Sequence, residues 1–366
     1  MVLFRLSFDP SKGHGSKAMS STDQFRNDRQ VAMWLIFCSV VVLGMILLGG
    51  TTRLTHSGLS MVEWKPLIGI IPPLSEEAWI NVFEKYKQFP EYQKINLGMD
   101  LGEFKSIFMF EYLHRVLGRL IGVFFFVPFV YFAIRGRIRA GLMPKLVLMF
   151  FLGGLQGLLG WYMVKSGLVN DPHVSQYRLT AHLGAAVLIY GYMLWVAFDL
   201  LLPATGEQNQ GAAKYAPWSL ALVVLVFLMI LSGGLVAGTR AGFAYSTWPL
   251  MGNSFIPPGL YSSSLAMFED ITTIQFNHRM FAYLLFVLIS IFSWLVYRSR
   301  VSAEASRGVI VLMLVLLAQV ILGISTLLLH VPVVVAVAHQ GVAILTFTAI
   351  LFVSQTLVRS ARQSRA

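Results

Sequence analysis

The sequence predicts an all-α membrane protein, with eight transmembrane helices arranged as two pseudo-symmetric four-helix bundles. Three observations carry that prediction. Hydrophobic residues make up 56% of the 366-residue chain and charged residues only 12%. Apolar runs of about 20 residues, each long enough to cross roughly 30 Å of hydrocarbon as a helix, recur eight times. The two halves of the chain also repeat one another, motif by motif and in the same order.

The predicted spans, in order, are 31–50, 108–134, 145–165, 178–202, 217–238, 274–297, 307–329 and 333–358. The first follows a polar stretch and no small-residue cleavage pattern trails it, so it is expected to be a retained helix and not a removed signal peptide. It carries Cys38, the only cysteine, which excludes an intramolecular disulfide and a thiolate metal cluster. The second span opens on "FEYLHRVLGR" (110–119), a polar entry to an otherwise apolar helix. A basic loop (Arg135, Arg137, Arg139, Lys145) leads into the third span, and the outer stretch "DPHVSQYRLTAHL" (171–183) leads into the fourth. Then comes "PATGEQNQGAAKYAP" (203–217), the clearest break in composition, which divides the spans four and four. A second long loop separates the fifth span from the sixth, another basic stretch (Arg298, Arg300, Arg307) precedes the seventh, and only a few residues join the seventh to the eighth.

The net charge of +11 is explained by topology and calls for no nucleic-acid partner, because Lys and Arg gather in alternate loops and in both tails. The bias puts both termini on the cytoplasmic side. The expected organisation is a cytoplasmic tail (1–30), an N-terminal bundle (31–202), a cytoplasmic linker (203–216), a C-terminal bundle (217–358) and a second cytoplasmic tail (359–366).

The repeat is specific. "GGTTRLTHSGLSMVEWKPLIGIIPPL" (49–74) matches "GGLVAGTRAGFAYSTWPLMGNSFIPPGL" (233–260) in its glycine pair, Thr-Arg, Trp and Pro-Pro. "EYLHR" matches "FNHR", "LQGLLG" (155–160) matches "AQVILG" (318–323), and "AHLGAAVLIY" (181–190) matches "AHQGVAILTF" (338–347). An even number of spans per half returns each copy to the same side, so the copies run parallel.

Four of the eight histidines, His114, His182, His278 and His339, occupy corresponding places in the second, fourth, sixth and eighth spans. All four spans start outside, which puts each imidazole one or two turns into the bilayer, roughly 5–10 Å deep at 1.5 Å per residue. A single such histidine is most simply a hydrogen-bonded packing residue, but four at repeat-related depths point to function. Two neutral imidazoles on facing helices, with no thiol or carboxylate to complete a tetrahedral set, suit axial ligation of a haem better than zinc. One haem per half is the economical arrangement. Arg115 and Arg279, each following its histidine, are expected to hold haem propionates. Glu111 lies three residues before His114 on the same helix face, whereas Gln275 stands in the matching place, so one half alone has an acid. The halves are therefore expected to differ in role, with a reactive site in the N-terminal half and an electron-transfer haem in the C-terminal half. His14, His56, His173 and His330 are taken as structural, and Trp64 and Trp248 as interfacial anchors.

Together, "GGTTRLTHSGLSMVEW", "IPPL", "PEYQKIN", "EFKSIFMFEYLHRVLGR", "DPHVSQYRLTAHL", "FNHRM" and "VAHQG" resemble the haem A synthase family of mitochondria and alphaproteobacteria, over about residues 25–358. Members of that family are eight-helix membrane enzymes that oxidise the C8 methyl of haem O to a formyl group, making haem A for cytochrome c oxidase. The resemblance implies that His278 and His339 bind haem b, that His114 and His182 surround the substrate haem, and that Glu111 is the catalytic acid. It also implies a bacterial inner membrane location, with a haem O synthase and oxidase assembly factors as partners; a homo-oligomer is compatible with it. Some relatives carry a cysteine pair in an outer loop; this chain has none, so no thiol step carries over.

Two other classes compete. A di-haem cytochrome b that only carries electrons explains the histidines and arginines but gives no reason for an acid in one half. A transporter built on duplicated halves explains the repeat and the intramembrane charges and needs no haem.

Overall fold

The computed structural model describes residues 21–63, 71–167, 174–202 and 210–363, which form helices and connecting turns with no β-strand among them. Eight helices are long and apolar enough to cross a membrane: α1 (Ser21–Leu54), α4 (Leu101–Ile134), α5 (Met143–Gly167), α6 (Gln176–Leu201), α7 (Gln210–Thr239), α9 (Ile271–Ser299), α10 (Ala303–Leu328) and α11 (Val333–Gln363). All eight predicted spans are present, and the chain is an integral membrane protein. Three short helices lie in the loops between spans: α2 (Glu76–Tyr86), α3 (Pro90–Lys94) and α8 (Ala266–Glu269). Helix α7 starts at Gln210, so the end of the predicted linker is already helical.

The helix packing repeats the sequence repeat. In the first half α1 packs on α4, α4 on α5, α5 on α6 and α6 back on α1, which closes a four-membered ring. The second half closes the same way through α7, α9, α10 and α11. Between halves, α6 meets α7, α1 meets α11, and α6 meets α11. The first two contacts exchange under a two-fold rotation and the third maps onto itself, as a pseudo-two-fold axis between α6 and α11 requires. These two are also the most deeply buried spans. Between them the Tyr190 hydroxyl and the Thr348 hydroxyl share a 2.7 Å hydrogen bond.

Water gives no hydrophobic drive between helices inside a bilayer, so close approach through small residues has to supply the packing. The repeated motifs provide it. A Cβ on Gly184 would lie 2.7 Å from Leu231 of α7, and one on Gly341 would lie 2.9 Å from Leu47 of α1. In "AHLG" and "AHQG" the glycine two residues after the histidine is thus the contact with the other half. At the C-terminal end of α6, Asp199 ties the halves together. It pairs with Arg139 at 2.9 Å and accepts from Gln355 at 3.2 Å, while its carbonyl accepts from Arg359 at 2.6 Å.

Outside the membrane the fold departs from an eight-span plan. Helix α4 begins seven residues before its predicted start, because Asp100 and Glu103 form a reciprocal capping box with N···O distances of 2.8 and 3.0 Å. The added turns carry Phe104, which packs with Phe108, Phe83 and Tyr86 in a small aromatic core under α2 and α3. Ser75 caps α2 by accepting from Ala78 N, and Pro90 opens α3, where a missing N–H costs nothing. Glu91 is buried in this cap, 4% exposed. Its pKa is pushed up to about 8 by burial and by the charge of Glu111, an effect the Tyr86 hydroxyl, which donates to it, partly offsets.

Candidate functional site

The four histidines stand where the repeat puts them: His114 on α4, His182 on α6, His278 on α9 and His339 on α11. All four are half-buried. The rings of His114 and His182 lie within electrostatic reach of one another, and so do those of His278 and His339. The pairing is therefore within each half.

Every ring rests against a glycine of the preceding helix in its bundle. A Cβ would lie 3.2 Å from His114 Nε2 at Gly49, 3.0 Å from His182 Cε1 at Gly160, 3.6 Å from His278 Cε1 at Gly233 and 2.8 Å from His339 Cε1 at Gly323. These glycines are the first of each "GG" pair and the last of "LQGLLG" and "AQVILG". The second glycine of each pair turns to the other half: Gly50 packs on Gln340, and a Cβ on Gly234 would meet Thr180 at 3.1 Å. One short motif thus seats an imidazole and closes the junction between halves.

Buried polar atoms around the rings test whether a haem suits this setting. Among the described residues, Nδ1 of His182 and of His339 has no hydrogen-bond partner, nor has Oε1 of the repeat-related Gln156 and Gln319. Gln156 Nε2 donates to the His182 carbonyl at 2.9 Å. The Gln319 backbone lies beside His339 without closing a hydrogen bond of good geometry. His278 Nδ1 does have a partner, Ser232 Oγ at 3.0 Å. No three His, Cys, Asp or Glu side chains converge among the described residues. Imidazoles paired within each half and seated on glycines, with no third His, Cys, Asp or Glu converging on either pair among the described residues, are the donor set that a haem iron takes.

The charged residues beside the rings do more structural work than expected. Glu111 is buried and accepts at Oε2 from Ser60 Oγ (2.8 Å) and Met61 N (2.7 Å), and at Oε1 from Arg115 Nη2 (2.5 Å). Arg115 also donates to the carbonyls of Met61 (2.8 Å) and Glu63 (3.1 Å). The two side chains clamp the loop after α1 onto α4. In the second half Gln275 donates to the Tyr245 and Gly242 carbonyls, and Arg279 donates to Thr247 (2.9 Å), Tyr245 (3.0 Å) and Leu250 (3.3 Å). The twin clamps share a position and differ in polarity: the carboxylate receives N–H and O–H groups, whereas the amide gives them. Arg279 keeps one buried donor, Nε, that has no partner among the described residues.

Of the other histidines, His56 faces Arg240 at 3.3 Å across the junction between halves, and His330 lies just past α10 with φ +61°. Trp248 is exposed at 44%. His14, His173 and Trp64 lie outside the described residues. Sequence reasoning missed Ser232, the glutamines and the glycine seats. The glycines and glutamines had a signal, since both recur within the quoted repeats, but Ser232 had none because its counterpart is Leu48.

The chain is similar to proteins named heme A synthase from Nitrosospira multiformis, 53% identical over 92% of this chain and 96% of that one, and from Nitrosomonas eutropha, 49% identical over 91% and 95%. A third, from Paramagnetospirillum magneticum, is 49% identical over 90% and 94%. Residues 32–351 match the family described as cytochrome oxidase assembly protein (COX15-CtaA). With the match spanning all eight membrane helices and both histidine pairs, the chain belongs to the COX15-CtaA family of cytochrome oxidase assembly proteins.

Proposed function

We propose that this protein is a haem A synthase, an oxidoreductase that converts the C8 methyl of haem O into the formyl group of haem A. The observation that carries the proposal is the duplicated imidazole pair with a carboxylate beside one pair only. His278 and His339 hold haem b as the resident cofactor in the C-terminal bundle, and His114 and His182 flank the substrate haem in the N-terminal bundle. When bound, these haem groups supply the oxidising metal centre that side chains lack. The chain's own residues bind, orient and manage charge. Glu111 is assigned as the catalytic residue: its Oε1 and Oε2 oxygens place negative charge one helical turn from His114, where positive charge at the reacting methyl is stabilised or a proton is received. Arg115 and Arg279 supply positive charge for the propionates, Arg279 through its remaining Nε donor.

The substrate is haem O, delivered by a haem O synthase, and the product goes to oxidase assembly. The bias of Lys and Arg toward the loops opposite the α2–α3 cap supports an orientation with both termini cytoplasmic, and the likeness to bacterial heme A synthases supports placement in the bacterial inner membrane. The experiment is to feed haem O to purified protein in the presence of dioxygen and a reductant and extract its pigments. Accumulation of haem A supports the synthase; two haems that remain chemically unchanged would make the chain an electron carrier.

A further inference from the structure

The two bundles repeat so closely that their differences identify which site holds its haem permanently. One difference lies against an imidazole. Ser232, immediately before the glycine that seats His278, places Oγ 3.0 Å from His278 Nδ1. At the repeat-related position, immediately before the glycine that seats His114, stands Leu48. No hydrogen bond to the His114 ring closes among the described residues. The four rings also differ in orientation. His182, His278 and His339 present Cε1 to their glycines, whereas His114 presents the Nε2–Cδ2 edge. His182 and His339 hold the Cε1-first orientation with no partner on Nδ1 among the described residues, so packing sets it there, and at His278 the Ser232 hydroxyl adds a hydrogen bond that holds the ring in place.

We propose that Ser232 is a positioning residue that makes the C-terminal haem a resident cofactor, and that leucine in its place leaves His114 an exchangeable ligand for a haem that must arrive as substrate and leave as product. This rests on the synthase reading. An imidazole that binds iron through Nε2 carries its proton on Nδ1, so Ser232 Oγ accepts from His278. The bond fixes the tautomer and ring plane and raises the basicity of the ligating nitrogen. A more basic, pre-aimed ligand holds ferric iron more tightly. The leucine in the other half offers none of this, so binding there relies on the macrocycle's contacts, which substrate and product largely share.

The test uses full-length protein in lipid nanodiscs, loaded with haem b, in the parent and in Ser232→Ala, Ser232→Thr and Leu48→Ser variants. Haem loss to excess apomyoglobin, the midpoint potential and the low-spin electron paramagnetic resonance signal are measured for each. Ser232→Ala is expected to release the C-terminal haem roughly 10- to 100-fold faster, the usual cost of removing such an outer partner. It should also raise that haem's midpoint potential and shift its resonance, while the N-terminal haem is unchanged. Ser232→Thr should restore all three, and Leu48→Ser should slow loss from the N-terminal site. A Ser232→Ala protein whose potential and release match the parent would overturn the inference and leave the synthase reading standing, as would a threonine variant no better than alanine. A parent without a low-spin signal would overturn both.

Discussion

The glycine seats give a graded test, because the four Cβ distances differ while the chemical change is the same. Ordinary contact begins near 3.4 Å. A methyl at Gly323 would intrude on His339 by about 0.6 Å, at Gly160 on His182 by about 0.4 Å and at Gly49 on His114 by about 0.2 Å, whereas at Gly233 it would sit in ordinary contact with His278. Overpacking of this kind costs about 1–3 kcal/mol. The imidazole can retreat only by leaving the position from which its helix aims it, so the cost falls on haem binding. At about 1.4 kcal/mol per tenfold, Gly323→Ala should weaken haem retention roughly 5- to 150-fold, with Gly160→Ala next, Gly49→Ala small and Gly233→Ala close to the parent. Alanine is about 1 kcal/mol better than glycine inside a helix, so loss of fold is not the expected cause. The assay is pyridine haemochrome content and the rate of haem capture by apomyoglobin for the four purified variants. Equal losses at Gly233 and Gly323, or parental retention in Gly323→Ala, would refute the idea that these glycines exist to seat the rings.

Three further predictions follow from other parts of the molecule. Glu111→Gln should keep its haem content, because the amide oxygen can still accept from Ser60 Oγ and Met61 N while Arg115 keeps its bonds to the Met61 and Glu63 carbonyls, yet cut conversion of haem O by about 100-fold or more; product analysis by chromatography of extracted haems checks it. Glu91 is protonated in the folded cap up to about pH 8, whereas an unfolded glutamate ionises near 4.5. The folded state therefore binds the extra proton, and the cap loses stability as pH rises from about 4.5 to 8. Limited proteolysis of the 76–96 region should speed up between pH 6 and 8.5 in the parent and stay level in Glu91→Gln. A Cβ on Gly238 would lie 2.7 Å from the Gln176 backbone, so Gly238→Ala should destabilise the α6–α7 contact by about 1–3 kcal/mol, seen as a lower midpoint of thermal unfolding.

Much of this architecture was legible because a bilayer leaves few choices. Apolar runs of spanning length have to be helices, and all eight fell where hydropathy put them. The duplication placed the four histidines before any coordinates did, since repeat-related residues take equivalent positions. What stayed hidden depends on tertiary contact. Helices α2 and α3 are short and held where Phe83 and Tyr86 of α2 meet Phe104 of α4, a contact made only in the folded chain. Glu91 looks like an ordinary loop acid until that cap buries it. Arg115 and Arg279 looked like propionate ligands, and the carbonyls they meet belong to loops whose paths no local pattern specifies. Glu111 stood out for lacking a twin acid, but the structure shows that Gln275 performs a matching clamp with opposite polarity. Its charge, and not its contact, is what the second half lacks.

The central claim is that imidazoles from neighbouring helices face one another across a macrocycle once in each half. It is tested most directly by low-spin electron paramagnetic resonance and haem quantification on protein loaded to saturation, in the parent and in His278→Ala and His114→Ala variants. The account predicts two bis-imidazole signals in the parent, with His278→Ala abolishing one and His114→Ala the other. A single signal surviving in both variants, or full haem content in each, would contradict it.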